Sequence, residues 1–271
     1  MDYILYALIF CIGTVFGSFF TLAVYRIPLK QDITHTRSYC PNCNHKLQFL
    51  DMIPILSYVF LGGKCRYCKD KIRPRYVLLE ILSGLVFLLF AISINFNIFS
   101  IYNSQILIYF IFGILYIVTM FIIAGIDKER IEISKPVLLF GFICVTIYII
   151  YLYIVQKDPS IYRYVIYLLL ASISVWLDTI ILRKKGKDSY AAEIFSLAML
   201  MVSFTYEPIY ILTAILTLIA IALKCIVNKV HKKKSKAVKN VKEPTVQIPV
   251  GFYMCTANII VLIITNFLIF S

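Results

Sequence analysis

Four cysteines in two short motifs, CPNC at 40–43 and CRYC at 65–68, offer the clearest chemistry in this sequence. Two Cys-x-x-Cys pairs separated by residues 44–64 match the spacing of a four-thiolate zinc site. Because four cysteines fill a tetrahedral site, the metal would fold the loop and leave no open position for a substrate. Disulfides or unreactive thiols are the alternatives. We predict structural zinc, or iron in its place, on Cys40, Cys43, Cys65 and Cys68.

Carboxylates at the ends of apolar runs form a second group of residues that could take part in chemistry. Asp127 closes one apolar run and Asp188 precedes another. Two neighbouring carboxyl groups share a proton, so one can activate water as a base while the other donates to a scissile carbonyl. Alternatively, Asp127 is a polar helix end at the membrane surface and Asp188 is an N-cap. Asp178, inside an apolar run, is the reserve catalytic candidate or a buried polar residue that bonds to a neighbouring helix.

The elements that must position these residues are membrane helices. The chain has 271 residues, of which 61% are hydrophobic and 15% are charged. In soluble domains, about half of the residues are apolar and about a quarter are charged. A spanning helix needs about 20 apolar residues, and backbone groups in lipid must bond within their own helix. We predict an all-α polytopic membrane protein with about eight spans, near 3–25, 75–94, 104–126, 136–156, 161–182, 190–204, 208–227 and 249–270.

The placement of cations predicts the orientation. With the N-terminus outside, every Lys and Arg except Lys157 and Arg163 lies in or at the edge of an inner loop. The positive-inside rule therefore predicts both termini outside and the cysteine loop and both aspartates on the cytosolic side. The basic loop 224–248 is expected to contact anionic lipids, or only to fix orientation as a solvated loop. Nucleic acid is not an expected partner.

Several segments occur in an order that resembles a known family. They are GSFFTLAVYRIP at 17–28, the two cysteine pairs with LQFLDMIPILSYVFLGGK between them, IRPRYVLLEILSG at 72–84, IDKERIEI at 126–133 and IPVGFY at 248–253. Together they resemble the type IV prepilin peptidases, which are membrane aspartic peptidases. The resemblance implies three parts: a first transmembrane helix, a cytosolic zinc loop domain and a peptidase core that includes the basic loop. These parts correspond to residues 1–25, 26–74 and 75–271.

The resemblance also implies an activity and a set of functional residues. Asp127 and Asp188 would cleave the basic leader from type IV prepilins or pseudopilins at the cytosolic face of a bacterial plasma membrane. Glu80 aligns with an acidic position and is a candidate for binding the positively charged part of the substrate. Members with the cysteine loop also methylate the new N-terminus with S-adenosylmethionine, so we expect that cofactor beside structural zinc.

One segment departs from the family pattern. In KKGKDSY at 184–190, Asp188 falls on the aspartate of the G-x-G-D motif, but Lys185 and Lys187 occupy the positions of its glycines. Glycines would let the backbone pass close to a substrate, and lysines would crowd that approach. A catalytically degenerate homologue that acts as a scaffold or as a methyltransferase only is therefore the alternative. A small transporter with Asp127 and Asp178 as proton carriers would leave the cysteine loop unexplained.

Overall fold

The computed structural model describes residues 2–33, 38–40, 42–156, 161–177, 190–205, 207–235 and 248–270, and most of them are helical. Within these ranges the β pairing consists of two isolated bridges. The elements in chain order are α1 (Asp2–Arg26), a 3-10 turn (Phe49–Met52), α2 (Leu56–Phe60), α3 (Arg75–Ser93), a second 3-10 turn (Ile98–Ile101), α4 (Ser104–Arg130), α5 (Lys135–Gln156), α6 (Ile161–Leu177), α7 (Tyr190–Phe204), α8 (Glu207–Ser235) and α9 (Val250–Phe270).

The helices confirm a polytopic membrane protein. Among the described residues, six helices are long and apolar enough to cross a membrane: α1, α3, α4, α9, the Lys135–Val155 part of α5 and the Pro208–Asn228 part of α8. Helix α7 is apolar but has only 15 residues. The long helices fall on the predicted spans, and the count of about eight is approximate.

The chain forms two compact units, Met1–Ile114 with Asn266–Ser271 and Leu115–Thr265. The first contains α1 to α3 and the cysteine loop, and the second contains the end of α4, the helices α5 to α8 and most of α9. The division at residues 25 and 74 drawn from the sequence remains a prediction.

Small residues bring α1 and α3 into close contact in the first unit. A Cβ on Gly13 would lie 2.8 Å from the Cα of Gly84, and a Cβ on Gly17 would lie 2.7 Å from the Cα of Glu80. The Ser83 hydroxyl donates to the Gly13 carbonyl at 2.7 Å. In lipid, helices associate through such close packing and interhelical hydrogen bonds. This contact therefore fixes the two helices that flank the cysteine loop.

Buried polar contacts join helices in the second unit. The Tyr116 hydroxyl on α4 donates to the Asn258 side chain on α9 at 2.7 Å, and the Tyr116 ring stacks on Phe204 with centroids 4.2 Å apart. The Asn258 amide donates to the Thr213 hydroxyl on α8 at 3.3 Å. Because hydrogen bonds between helices stabilise their association in lipid, this cluster helps to hold α4 beside the start of α9.

Candidate catalytic site and metal centre

The first cysteine pair lies in a tight turn closed by backbone hydrogen bonds. The Cys40 N–H donates to the His45 carbonyl at 3.0 Å, and the Asn44 N–H donates to the Cys40 carbonyl at 2.8 Å. Asn44 adopts a left-handed conformation with φ of 54°. Asparagine tolerates that region better than most residues, which explains how the chain can reverse here.

The second cysteine pair repeats this backbone arrangement. The Cys65 N–H donates to the Asp70 carbonyl at 2.8 Å, and the Lys69 N–H donates to the Cys65 carbonyl at 3.1 Å. Lys69, at the position equivalent to Asn44, also has a left-handed φ of 60°. The two pairs are therefore two copies of one local fold, each of which presents two sulfur atoms.

The four sulfur atoms form one cluster, as the spacing predicted. The Sγ atoms of Cys40, Cys43, Cys65 and Cys68 lie within 4.8 Å of one another, and the described cysteines are free of disulfides. The Cys40 and Cys68 sulfurs are 3.8 Å apart. Tetrahedral zinc with Zn–S bonds of about 2.3 Å requires sulfurs about 3.8 Å apart. The donor set and its spacing thus fit a tetrahedral thiolate-bound metal ion.

The thiols of this cluster influence one another. Backbone N–H groups, first that of Cys43, and neighbouring thiols lower the pKa of Cys40 from 9.0 to about 7. The backbone hydrogen bond at Asp70 acts to lower the pKa of Cys68, but desolvation and hydrogen bonds with the other thiols outweigh it and raise that pKa to about 12. Without a cation, four neighbouring thiolates repel one another. A bound divalent ion would remove this conflict because it holds all four as thiolates.

Contacts outside the cluster support the second cysteine pair. Asp51, in the first 3-10 turn, accepts a hydrogen bond from Arg66 Nε at 2.6 Å and one from the Gln48 N–H at 3.2 Å. Burial alone would raise the pKa of Asp51, but Arg66 and the Gln48 N–H lower it below its ordinary value. The His45 and Tyr67 rings lie 3.6 Å apart, which joins one pair to the other.

Asp127 is the predicted catalytic aspartate that lies among the described residues. It lies in the last turn of α4 and is fully buried, at 0% exposure. The helix ends at Arg130, and the next residue, Ile131, has a left-handed φ of 56° and donates its N–H to the Asp127 carbonyl at 2.8 Å. This ending is typical of helix C-termini, and it leaves the carboxyl group free to turn toward α7 and α9.

Among the described residues, Tyr190 and Phe252 donate hydrogen bonds to the Asp127 carboxyl group. The Tyr190 hydroxyl donates to Oδ1 at 2.7 Å, and the Phe252 N–H donates to Oδ2 at 2.8 Å. A carboxylate has about four acceptor sites, so sites remain for a water molecule or a second carboxylic acid. The helices α4, α7 and α9 therefore converge on one oriented carboxyl group.

Tyr190 also receives hydrogen bonds from the start of α9. Its oxygen accepts from the Val250 N–H at 2.9 Å and from the Gly251 N–H at 3.3 Å. The first N–H groups of a helix lack partners within the helix, so Tyr190 and Asp127 together supply acceptors for three of them. A Cβ on Gly251 would lie 3.2 Å from Asp127 Oδ2, which explains why a glycine suits this position.

The other acidic candidates have different outcomes. Asp178 and Asp188 lie outside the described residues. Glu80, on α3, accepts a hydrogen bond from the Ile55 N–H at 2.7 Å. Ile55 has a φ of 62°, a costly conformation for a β-branched residue, and Glu80 helps to stabilise it. The role of Glu80 in substrate binding remains a prediction.

Sequence reasoning missed the groups that hold Asp127. Tyr190 and the N–H groups of Gly251 and Phe252 were not among the predicted site residues. The segment IPVGFY was recognised only as a motif of the last span. The available signal was Gly251, which follows Pro249 at the start of the last helix. Backbone N–H groups at the start of a helix often bind carboxylates, and a glycine lets a carboxylate come close to them.

Comparison with known proteins finds a similarity in the N-terminal part of the chain. Residues 11–94 match the family described as Bacterial Peptidase A24 N-terminal domain. This stretch contains the four cysteines and Glu80 and ends before Asp127. No solved structure matches the chain.

Curated relatives agree with this match. A prepilin leader peptidase/N-methyltransferase of Myxococcus xanthus is 43% identical over 79 residues, which are 29% of this chain and 24% of the relative. Proteins of the same name from Vibrio cholerae and Klebsiella pneumoniae are each 37% identical, over 89 and 87 residues. These matches cover 30% of this chain and 35% and 38% of the relatives. The chain thus spans well under half the length of these relatives. These matches confirm, over the N-terminal part of the chain, the resemblance to type IV prepilin peptidases.

Proposed function

We propose that this protein is a membrane aspartic endopeptidase that removes the basic leader from type IV prepilins or pseudopilins. The observation that carries the proposal is the match of residues 11–94 to a peptidase domain whose relatives are named prepilin leader peptidases/N-methyltransferases. The buried, oriented carboxyl group of Asp127, outside the matched stretch, also supports it. The predicted orientation supports an active site on the cytosolic side, and the bacterial relatives support a bacterial plasma membrane.

Asp127 and Asp188 are the proposed catalytic pair. One ionised carboxylate takes a proton from water, and the resulting hydroxide attacks the carbonyl carbon of the scissile peptide bond. The protonated partner donates to the carbonyl oxygen. Collapse of the tetrahedral intermediate breaks the C–N bond, and the leaving amine takes up a proton. The Tyr190 hydroxyl and the Phe252 N–H fix the direction of the Asp127 oxygens during these steps.

The sequence position of Tyr190 favours Asp188 over Asp178 as the partner. Tyr190 bonds directly to Asp127, and Asp188 precedes Tyr190 by two residues. Two residues of extended chain reach about 7 Å, which is a distance that a pair of facing side chains can bridge. Asp178 is farther from Tyr190 in sequence than Asp188 is. The segment between Asp178 and Tyr190 would have to fold back in a specific way to bring Asp178 close to Asp127.

The zinc loop and the methyl transfer complete the proposal. Zinc on the four cysteines would cross-link the loop and perform no step of the reaction. The names of the relatives include N-methyltransferase, which supports methylation of the new N-terminus with S-adenosylmethionine as the methyl donor. We assign no residue to that second activity. Anionic lipids are proposed to contact the basic loop 224–248.

A cleavage assay distinguishes the two candidate partners. Membranes that contain wild type, Asp188→Asn or Asp178→Asn are incubated with a prepilin, and leader removal is followed by gel shift and mass spectrometry. We expect cleavage to be lost with Asp188→Asn and kept with Asp178→Asn, because only the former removes the proton-sharing partner. The reverse pattern would assign the second aspartate to Asp178.

The same assay tests the degenerate alternative, which the lysines at 185 and 187 favour. If wild type cleaves no cognate prepilin but still transfers a labelled methyl group to a mature pilin, the protein acts as a methyltransferase only. If it does neither, the scaffold interpretation replaces the peptidase. The names of the relatives favour the peptidase.

Tyr190→Phe is expected to slow cleavage about 10-fold to 100-fold, the equivalent of about 1–3 kcal/mol for an unmade buried hydrogen bond. The change removes the donor to Asp127 and the acceptor for two α9 N–H groups. Because the hydroxyl orients a catalytic group, kcat should fall while KM stays unchanged. Tyr153→Phe, at an exposed tyrosine of α5, is the matched control. Equal cleavage rates for Tyr190→Phe and Tyr153→Phe would show that the Tyr190 hydroxyl does not contribute to catalysis.

A further inference from the structure

The loop between the two cysteine pairs exposes large apolar side chains outside any predicted span. Phe60 is 83% exposed and Phe49 is 78% exposed, and Leu50, Leu56 and Val59 are exposed beside them in sequence. On α2, Leu56, Val59 and Phe60 have the spacing of one helix face. We call these five side chains the interknuckle face. In water, a cluster of this kind marks a surface that binds something apolar.

A hydrogen bond fixes the position of the interknuckle face along α3. The Glu80 carboxylate accepts from the N–H of Ile55, the residue that directly precedes α2. Glu80 lies five residues into α3, which begins at Arg75. Five residues of helix correspond to about 7.5 Å. Ile55 is therefore held beside the first turns of a membrane-spanning helix, rather than beyond its charged end.

Cations flank the interknuckle face on its C-terminal side. The chain after α2 forms a short antiparallel pairing in which the Ile72 N–H donates to the Gly63 carbonyl at 2.8 Å and Lys64 pairs with Lys71. Lys64 and Lys71 are exposed. Aromatic and aliphatic side chains next to lysines are typical of segments that lie in the membrane interface.

We infer that the interknuckle face inserts into the lipid interface beside α1 and α3 and anchors the cysteine loop to the bilayer surface. Three observations agree on lipid as the occupant: the apolar side chains, the attachment to α3 near the level where that helix enters the membrane, and the neighbouring lysines, which suit phosphate headgroups. Leu78 and Leu82, on the same α3 that carries Glu80, are also exposed. This inference does not depend on the peptidase activity.

Quenching by brominated lipid tests the inference. The single tryptophan, Trp176, is replaced by Phe, and Phe60→Trp or Phe49→Trp is introduced into that background. Each full-length protein is reconstituted into vesicles of phosphatidylcholine with or without bromine on the acyl chains. We expect bromine to remove most of the emission from both tryptophans, because contact with the acyl chains is required for quenching.

Asn42→Trp in the same background is the matched control. Asn42 is exposed in the first cysteine pair, and Tyr67 occupies the equivalent position of the second pair, which shows that an aromatic side chain fits there. Its emission should be the same with and without bromine. Zinc content and helical circular dichroism confirm that each variant folds.

Bright emission from both Phe60→Trp and Phe49→Trp in brominated vesicles would overturn the inference. If that emission then shifts when a prepilin is added, the face binds the apolar helix of the substrate. If it shifts with protein density in the vesicles, a second copy of this chain covers it. Either result assigns the face to a protein partner and excludes lipid.

Discussion

Asp127→Asn is expected to abolish prepilin cleavage, with a loss of about 10³-fold or more, while the protein still inserts into membranes. The amide keeps the size of the carboxyl group but cannot take a proton from water, and general acid–base catalysis alone contributes about 10²–10⁴-fold. The remaining aspartate would also lose the neighbour with which it shares a proton. Leader removal in membrane fractions, followed over time, measures the loss.

The hydrogen bonds around Asp127 mean that Asp127→Asn could also reduce the stability of the folded protein. The introduced amide offers one carbonyl oxygen where the carboxylate offers two, so either Tyr190 or the Phe252 N–H loses its acceptor. A buried donor without a partner costs about 1–3 kcal/mol. Protein level and resistance to protease therefore need to be measured beside activity, so that lost chemistry is separated from lost folding.

Glu129→Gln provides the matched control for Asp127→Asn. Glu129 belongs to the same final turn of α4, but its side chain is exposed. The control removes the same charge from the same helix end without touching the Tyr190 and Phe252 contacts. We expect full cleavage from this variant. Equal activity of Asp127→Asn and wild type would refute a catalytic role for Asp127 and leave it as a buried structural carboxylate.

The positions of the membrane helices could be predicted from the sequence because apolar length decides them, but their ends could not. The third predicted span stops at 126, whereas α4 continues to Arg130. The seventh stops at 227, whereas α8 continues to Ser235. Hydropathy reports where a segment enters lipid. Lysine and arginine are good helix formers, and cations stabilise a helix C-terminus, so the helices extend past the apolar boundary.

The two candidate sites differ in how far the sequence could reveal them. The metal cluster depends on two local turns whose cysteines are three residues apart, so spacing alone predicted which four sulfurs meet. The Asp127 site depends on Tyr190 and Phe252, which are 63 and 125 residues away. One of these donors is a backbone N–H, which has no side-chain signature. Only the packing of α4, α7 and α9 brings the three groups together.

Cys65→Ser is expected to reduce bound zinc from about one ion per chain to nearly none, as measured by mass spectrometry of the metal in purified protein. Cys65 is the buried member of the cluster, and its N–H bonds within the turn that forms the second cysteine pair. Serine is a poor zinc ligand, so three thiolates would remain around a site built for four. We expect the loop between α1 and α3 to become sensitive to protease while the membrane helices stay folded.

Cys11→Ser and Cys225→Ser are the controls for this zinc experiment, because both cysteines lie on membrane helices outside the cluster. Their zinc content should equal that of wild type.

Prepilin cleavage by Cys65→Ser then separates two roles of the metal. If the variant loses both zinc and cleavage, the folded loop is needed to present the substrate. If it loses zinc but cleaves normally, the loop has another role, such as anchoring at the bilayer surface. Unchanged zinc content would show that the four cysteines do not form the metal site, and the clustering of their sulfurs within 4.8 Å would then reflect reduced thiols that pack together.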